Sequence, residues 1–384
     1  MDNIAGSKSS LTWAVHISVA LLVLLWIFPT VGLLVSSFRT ADQISASGWW
    51  NSMFPAEQNL VIRAKAPEAQ LREGDLWVIE GNLFEQEDIE DASISRWGTS
   101  SKDISAYAAG EEGSFRSGES VTLDALGNYR ITSPEEMSGK RGKRLFMTAQ
   151  TPPDFTTENY GTVLFSGSGQ DNMASAFFNT LTVTIPATII PVLVAAFAAY
   201  ALAWMDFPGR ALLIAAVVAL LVVPLQLALI PLLKLHLDIG IGKGYLGVWL
   251  AHTGFGMPLA IYLLRNYMVG LPRDIIENAR VDGATEFQIF TKIILPLSFP
   301  ALASFAIFQF LWTWNDLLVA KVFLIDSTGQ TTVMTNQIVE LLGTRGGNWE
   351  ILATAGFISM AVPLIVFFSM QRYLVRGLLA GSVK

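Results

Sequence analysis

The segment that decides the fold is a charged, glycine-broken stretch between two long apolar runs. It reads Glu277-Asn278-Ala279-Arg280-Val281-Asp282-Gly283-Ala284 and is followed nine residues later by Ile293-Ile294-Leu295-Pro296. Charged side chains are expensive inside the hydrocarbon of a bilayer, so a membrane protein keeps such a stretch in water. The segment is therefore expected to be accessible to a soluble partner.

Six uncharged apolar runs indicate a polytopic membrane protein. Apolar residues make up 52% of the 384 residues and charged residues only 15%, which is a membrane-type balance. Each run reaches the ~20 residues that a helix needs to cross a bilayer. The runs cover residues 11–38, 181–204, 211–233, 245–264, 293–315 and 351–371. The first run exceeds the ~7–15 apolar residues of a signal peptide and has no obvious cleavage site, so it is expected to be a retained span.

Basic residues beside these runs predict the orientation. With the N-terminus inside, the cytoplasmic flanks hold Lys8, Arg210, Arg265, Arg273, Arg280, Lys292, Arg372, Arg376 and Lys384. The opposite short flanks hold Arg39, Lys234, Lys243, Lys321 and Arg345. Since Lys and Arg favour the cytoplasmic side, the chain is predicted to be a multi-pass inner (cytoplasmic) membrane protein with both termini in the cytoplasm.

A hydrophilic block separates the first two spans. Residues 40–171 contain 21 acidic and 11 basic residues. Short β-prone runs at 75–80, 120–123 and 129–132 predict strands, and the pairs Gly81-Asn82 and Gly127-Asn128 predict turns. The basic cluster at 140–144 is expected to be a solvated loop, so no nucleic-acid partner is predicted.

The predicted organisation has three parts. Residues 1–40 are the cytoplasmic N-terminus and the first transmembrane helix, and 41–150 are an acidic, β-rich extracytoplasmic insertion, expected in the periplasm. Residues 151–384 are a five-helix core with a cytoplasmic loop at 268–297 and a cytoplasmic C-terminal tail.

Local signals predict a helix, an elbow and a second helix within 268–297. Pro272 suits the start of a helix, because its missing N–H is not needed there. Ile275, Ile276 and Ala279 are predicted to form one apolar edge. Gly283 ends this helix by allowing a left-handed backbone.

The second helix is predicted from a capping box. Thr285 and Gln288 have the spacing of this motif, in which each side chain accepts from the other residue's backbone N–H. The helix is expected to run to Leu295-Pro296 and to lead into the fifth span.

The spacing of seven residues resembles the coupling loop of ATP-binding-cassette (ABC) importer permeases. They are Glu277, Ala279, Asp282, Gly283, Ile293, Leu295 and Pro296. Asn278 departs from the alanine that the family usually has. The resemblance implies that Glu277 contacts a groove of the ATPase, that Ala279 allows close approach, and that Asp282 and Gly283 shape the elbow. Ala284 belongs to the same motif, and the last three residues of the seven anchor the second helix.

Other stretches are similar to the maltose-type carbohydrate permeases. They are residues 154–160, 310–316 and 376–384, and the long insertion resembles the α-glucoside branch. The resemblance implies an all-α membrane protein with the six-helix type I ABC importer permease fold. The implied partners are a second permease subunit, an ATPase dimer, an extracytoplasmic sugar-binding protein, the sugar and the lipid membrane. Transport is expected to proceed by alternating access.

No catalysis or cofactor is expected of this chain. A Walker-type phosphate loop is absent from the sequence, so ATP and Mg are expected to be bound by the partner ATPase. The chain has no cysteine and three histidines without ligand spacing, which are read as isolated core or interface residues. No metal site is predicted.

A sugar pathway needs aromatic faces and amides. The candidates are Asn179, Gln226, Gln309, Trp312, Trp314 and Asn315. The alternative, which is favoured for each residue, is that the tryptophans belong to the interfacial aromatic belt and the amides bridge helices.

Two other classes of function stay open. A secondary carrier or channel usually has ionisable groups in its spans, and the predicted spans hold almost none. A membrane-tethered enzyme would carry its chemistry in the insertion, whose carboxylates show no arrangement that identifies an acid–base pair.

Overall fold

The computed structural model describes residues 10–87, 89–165, 173–325, 328–344 and 347–379. The chain divides into two compact units. The first contains Met1–Asn159 and Gly347–Thr354, and the second contains Tyr160–Gly346 and Ala355–Lys384.

The first unit begins with α1 (Ser10–Ser37), a 28-residue apolar helix. Its side chains are largely exposed, for example Leu24 at 64% and Trp26 at 80%, as expected for a helix that faces lipid. The short helix α2 (Ala41–Ala46) follows and is capped by Thr40. Arg39 lies between the two helices, and burial lowers the pKa of its guanidinium.

The rest of this unit is β-rich. Its described strands are β1 (Ala56–Arg63), β2 (Leu71–Glu73), β3 (Leu76–Asn82), β4 (Ser93–Gly98), β5 (Tyr107–Ala108), β6 (Glu112–Ser114), β7 (Ser120–Leu123), β8 (Asn128–Ser133) and β9 (Arg144–Thr151). They form two antiparallel sheets, ordered β1-β9-β4-β5 and β2-β3-β8-β7-β6. The one-turn helix α3 (Leu83–Gln86) follows β3. Trp97, Leu145 and Met147 are fully buried in the core.

The predicted strands at 75–80, 120–123 and 129–132 are confirmed as β3, β7 and β8. The turn at Gly127 is also present, with φ 84°. The predicted turn at Gly81-Asn82 is wrong, because both residues pair with β8 inside the sheet. Gly81 is needed there for close approach, since an added Cβ would lie 2.8 Å from the Tyr129 hydroxyl.

The second unit is helical. Its described helices are α4 (Glu158–Phe165), α5 (Met173–Trp204), α6 (Arg210–Leu220), α7 (Leu225–Asp238), α8 (Tyr245–Val269), α9 (Arg273–Val281), α10 (Glu286–Ile289), α11 (Leu295–Leu297), α12 (Phe299–Trp314), α13 (Leu318–Phe323), α14 (Met334–Thr344) and α15 (Trp349–Leu379). The first residues of α4 and of α15 belong to the first unit. A π-helical turn, Phe290–Ile294, joins α10 to α11.

Within the described residues, four helices are long and apolar enough to cross a membrane, namely α1, α5, α8 and α15. Two further segments qualify only as bent pairs: α6 with α7 at 111°, and α10–α11 with α12 at 71°. The apolar runs predicted as spans at 211–233 and 293–315 therefore correspond to bent pairs, and six crossings result only if each bent pair is one span.

Prolines explain both bends. Pro224 caps α7 with an extended backbone and restricts the residue before it. Pro300 stands at the start of α12, where its ring would clash with the carbonyl of Pro296 if the preceding helix continued. The chain therefore turns at Ser298.

The core of the helical unit lies among α5, α8 and α12. Small residues on α5, including Ala195 and Ala199, are fully buried against Leu264 and Met268 of α8. Small side chains let helix backbones approach closely in membrane proteins. The candidate site packs against this core through Ile276 and Ile289.

Candidate functional site

The first part of the site is α9, which starts directly after Pro272. Ile276 is buried in the helical core at 1% exposure, and Ala279 packs half-buried against the same core. Glu277 points away and is exposed. The predicted apolar edge holds for Ile276 and Ala279, which are three positions apart, but is wrong for Ile275, which is 39% exposed.

The elbow after α9 is a Schellman motif. Gly283 has φ 79°, and its N–H donates to the Arg280 carbonyl at 3.0 Å. The Ala284 N–H donates to the Ala279 carbonyl, also at 3.0 Å. These two bonds satisfy carbonyls that the end of the helix leaves free. The motif ends α9 and separates it from the helix that Thr285 caps.

The second part of the site begins with the predicted capping box. The Gln288 N–H donates to Thr285 Oγ1 at 3.3 Å, and the Thr285 N–H donates to Gln288 Oε1 at 2.9 Å. The helix reaches Leu297 through the π turn. Pro296 explains this turn, because it lacks an N–H and its ring displaces the carbonyl of the preceding turn.

The anchor residues of the second helix divide into two groups. Ile293 and Leu295 are half-buried against the helical core, and Ile289 between the cap and the π turn is fully buried. Pro296 is exposed. Ile293 and Leu295 therefore hold the helix to the core, whereas Pro296 shapes its backbone.

The elbow presents an apolar surface with acidic neighbours. Val281 is 86% exposed and Phe287 is 66% exposed, one on each side of Gly283. Glu277 and Asp282 are exposed beside them. Neither Val281 nor Phe287 is among the site residues predicted from the sequence. A signal was available, because an apolar side chain on the polar side of a short amphipathic helix suggests a binding surface.

A polar cluster fixes the elbow to the end of α5. Glu286 accepts a hydrogen bond from the Tyr200 hydroxyl at 2.5 Å and one from Arg280 Nε at 2.9 Å. Arg280 also donates to the Trp204 carbonyl at 3.5 Å. The hydrogen bond to Glu286 raises the pKa of Arg280, so the guanidinium stays charged. We call Tyr200, Arg280 and Glu286 the elbow brace.

Three of the pathway candidates bond within the helical unit. Asn179 donates to the carbonyls of Gln330 and Thr332 at 2.7 and 2.9 Å. Gln309 is 1% exposed and donates to the Ala187 and His252 carbonyls. Trp314 is 1% exposed and donates to the Ser359 carbonyl at 2.9 Å. The contacts of Gln309 and Trp314 bridge helices, whereas those of Asn179 join α5 to the segment between α13 and α14.

The other three candidates are accessible on the isolated chain. Gln226 and Asn315 are exposed, and Trp312 is 39% exposed. Asn315 Nδ2 donates to the Leu311 carbonyl of its own helix at 2.8 Å. Because three of the six candidates are bonded within the helical unit and three are exposed, they do not form one common surface. Their role in a pathway stays a prediction.

An ionisable pair, His252 and Asp316, lies at predicted membrane helices, where almost no ionisable side chain was expected. The His252 side chain on α8 is 1% exposed, and its Nε2 lies 3.7 Å from Asp316 Oδ2, whose side chain is 8% exposed. Neither ring nitrogen of His252 has a hydrogen-bond partner among the described residues. The prediction of a buried core histidine fits, but its acidic neighbour follows α12 and was not foreseen.

Among the described residues, no group of three or more His, Asp or Glu side chains could hold a metal ion.

The tail at 376–384, which resembles the carbohydrate permeases, lies partly outside the described residues, which end at residue 379.

Comparison with known proteins identifies the family. Residues 164–379 match the binding-protein-dependent transport system inner membrane component family. The alpha-glucoside transport system permease protein AglG of Rhizobium meliloti is 58% identical over 98% of this chain and 98% of its own length. The apolar helical unit and this family match define the class, a membrane transport component. The chain belongs to the binding-protein-dependent transport system inner membrane component family.

Two further similarities are partial. The osmoprotective compounds uptake permease protein GgtD of Synechocystis sp. is 58% identical over 60% of this chain and 76% of its own length. A chain from the crystal structure of a bacterial ABC transporter involved in alginate import is 22% identical, with a TM-score of 0.48, over 58% of this chain and 81% of that chain.

Proposed function

We propose that the chain is a permease subunit of an ATP-driven sugar importer and forms half of its translocation pathway. The observation that carries this proposal is the elbow: an exposed surface on a short helix that is buried on its other side and braced to a long membrane helix. A soluble ATPase could grip this surface, and its movement would be transmitted to α5 and the core.

The substrate class rests on the near full-length relative. Its name assigns it to alpha-glucoside transport, and its match includes the acidic insertion. We infer that the transported sugar is an α-glucoside or a related oligosaccharide. ATP and Mg would be bound by the ATPase, since the sequence of this chain has no phosphate loop.

The proposed assembly contains a second permease subunit, an ATPase dimer and a sugar-binding protein outside the inner membrane. In this arrangement each bent helix pair counts as one span, which gives six crossings. Both termini and the elbow lie in the cytoplasm, and the β-rich insertion lies in the periplasm. Closure of the ATPases would pull on α9 and reorient the helices by alternating access.

The test is co-purification of the ATPase with Glu277→Lys, together with sugar uptake. We expect the charge reversal to lower both, because the exposed carboxylate faces the partner. The matched control is Asp206→Lys, which reverses an exposed acidic side chain after α5 and should leave both intact. Normal ATPase binding and uptake in Glu277→Lys would contradict the assignment.

The buried His252–Asp316 pair is the one observation that favours a secondary carrier, because such pairs can take up protons in transporters. A carrier would keep its uptake after deletion of the ATPase and would lose it with a protonophore. We expect the reverse: uptake that disappears with the ATPase and survives a protonophore while ATP is supplied.

A further inference from the structure

The first unit contains a cleft of about 360 Å³ that the proposed transport function does not explain. It is bordered by α2, by β1, by Glu87, Ile89 and Glu90 after α3, and by the segment that follows β9. All of these elements belong to the same compact unit. The volume falls in the ~300–1,000 Å³ range of small-molecule sites.

The floor of this cleft contains a glutamine on a core-facing position. On β1, Gln58 shares the inward face with Leu60 and Ile62, and Ile62 is part of the hydrophobic core. Gln58 is only 8% exposed and lines the cleft. Its amide atoms are not among the fully buried polar atoms that lack a partner, so the small exposed part of the residue leaves the amide accessible. An amide in this position offers a ligand in the cleft both hydrogen-bond donors and an acceptor.

A second amide lies beside the first. Gln43 of α2 is 7% exposed and lines the same cleft. Its Oε1 accepts a hydrogen bond from the Thr40 N–H at 3.2 Å, which leaves its NH2 group directed to other partners. The cleft thus offers amide donors and acceptors close together.

The distribution of charge selects the chemistry of the ligand. The carboxylates that line the cleft, those of Glu87, Glu90 and Asp154, belong to exposed residues, whereas the buried polar lining is uncharged. A site for a cation would be expected to have carboxylates on its buried floor, which this cleft lacks. The described residues also contain no metal-binding cluster. A neutral solute with many hydroxyl groups can bond to the amides, and its C–H faces can pack on Leu60 and Ile89.

We propose that this cleft binds a small polyhydroxylated solute, one or two sugar rings in size. The proposal rests on the proposed function only in taking the transported α-glucoside as the ligand. The cleft would hold the sugar on the insertion, separately from the transmembrane pathway.

The experiment measures maltose binding to the purified complex of both permeases and the ATPase, without the binding protein and without ATP. Isothermal titration would be carried out on the parent complex, on Gln58→Leu and on Gln150→Leu. Gln150 is the matched control, because it lies on β9 with an exposed side chain. We expect Gln58→Leu to weaken binding at one site roughly tenfold or more, with an unchanged or higher melting temperature, since leucine suits a core-facing position. Gln150→Leu should behave like the parent.

Two results would overturn the proposal. One is unchanged maltose binding in Gln58→Leu. The other combines two observations. The double variant Glu87→Gln, Glu90→Gln weakens docking of the binding protein in a salt-dependent way, and Gln58→Leu leaves maltose binding intact. Together these would identify the cleft as a protein-docking surface. Because the binding assay uses no ATP, its outcome is separate from the ATPase dependence of uptake. Failure of the cleft and failure of the proposed import function can therefore be distinguished.

Discussion

The elbow and the surroundings of Gln309 are both polar features of the helical unit, but they are built in opposite ways. The turn of the elbow is formed by hydrogen bonds between residues a few positions apart, such as Ala284 to Ala279 and Gln288 to Thr285, and the elbow brace adds contacts to α5. Gln309 instead joins α12 to carbonyls of α5 and α8 that are 122 and 57 positions away. The local bonds leave the exposed side chains of the elbow, such as Val281 and Phe287, available to a partner. The long-range bonds of Gln309 instead use its amide as a donor inside the unit. We therefore expect changes at the elbow to affect coupling and changes at Gln309 to affect stability.

The largest effect is expected for Gly283→Val. The backbone at Gly283 has φ 79°, and a β-branched residue there is strained by about 1–3 kcal/mol. This strain should shift the equilibrium away from the docking-competent elbow by roughly 5- to 150-fold, with a corresponding loss of sugar uptake. Uptake and ATPase co-purification would be measured together.

Gly209→Val is the matched control for the elbow. Gly209 has φ 85°, and, as at Gly283, an added Cβ would meet nothing within 4 Å. The backbone strain is therefore similar, but the residue lies between α5 and α6. We expect near-normal uptake in this variant. Equal loss of uptake in both variants would mean that strain anywhere in the unit is harmful and that the elbow has no special role.

A smaller effect is expected for Glu286→Gln, which weakens the elbow brace. Arg280 and Glu286 have side chains that are 42% and 43% exposed, so solvent screening limits the contribution of this pair to about 1 kcal/mol. Uptake should fall roughly fivefold, while the ATPase still co-purifies because its docking surface is unchanged. Tyr200→Phe should have a smaller effect, and the double variant should be less than additive, since both changes remove bonds to the same carboxylate.

Asp206→Asn is the control for the brace. Asp206 pairs with Arg210 at 2.9 Å, the same distance as the Arg280–Glu286 pair, but it does not contact the elbow. Uptake in Asp206→Asn should match the parent protein. If Glu286→Gln transports sugar as well as this control, the brace does not transmit movement.

The same contrast between local and long-range bonds explains what the sequence could predict. The cap at Thr285, the left-handed Gly283 and three strands of the insertion (β3, β7 and β8) follow from residue type and short spacing, and all are present. The bond from Tyr200 to Glu286 joins residues 86 positions apart, and His252 meets Asp316 only because α8 packs near the end of α12. No spacing rule predicts such contacts. The bends at Pro224 and Ser298 also have local signals, because a proline stands at or just after each of them.

The smallest effect is expected for Gln309→Met, which keeps the length of the side chain but removes the amide. Hydrogen bonds between membrane helices contribute about 0.6 kcal/mol on average and at most about 1.7 kcal/mol. The melting temperature of the purified complex should therefore fall by a few degrees, with uptake and sugar preference nearly unchanged. Gln226→Met is the control, because Gln226 is exposed and its replacement should not alter the melting temperature. A change of sugar preference in Gln309→Met without loss of stability would show that this amide serves the pathway, and the contrast with the elbow would then be one of position and not of role.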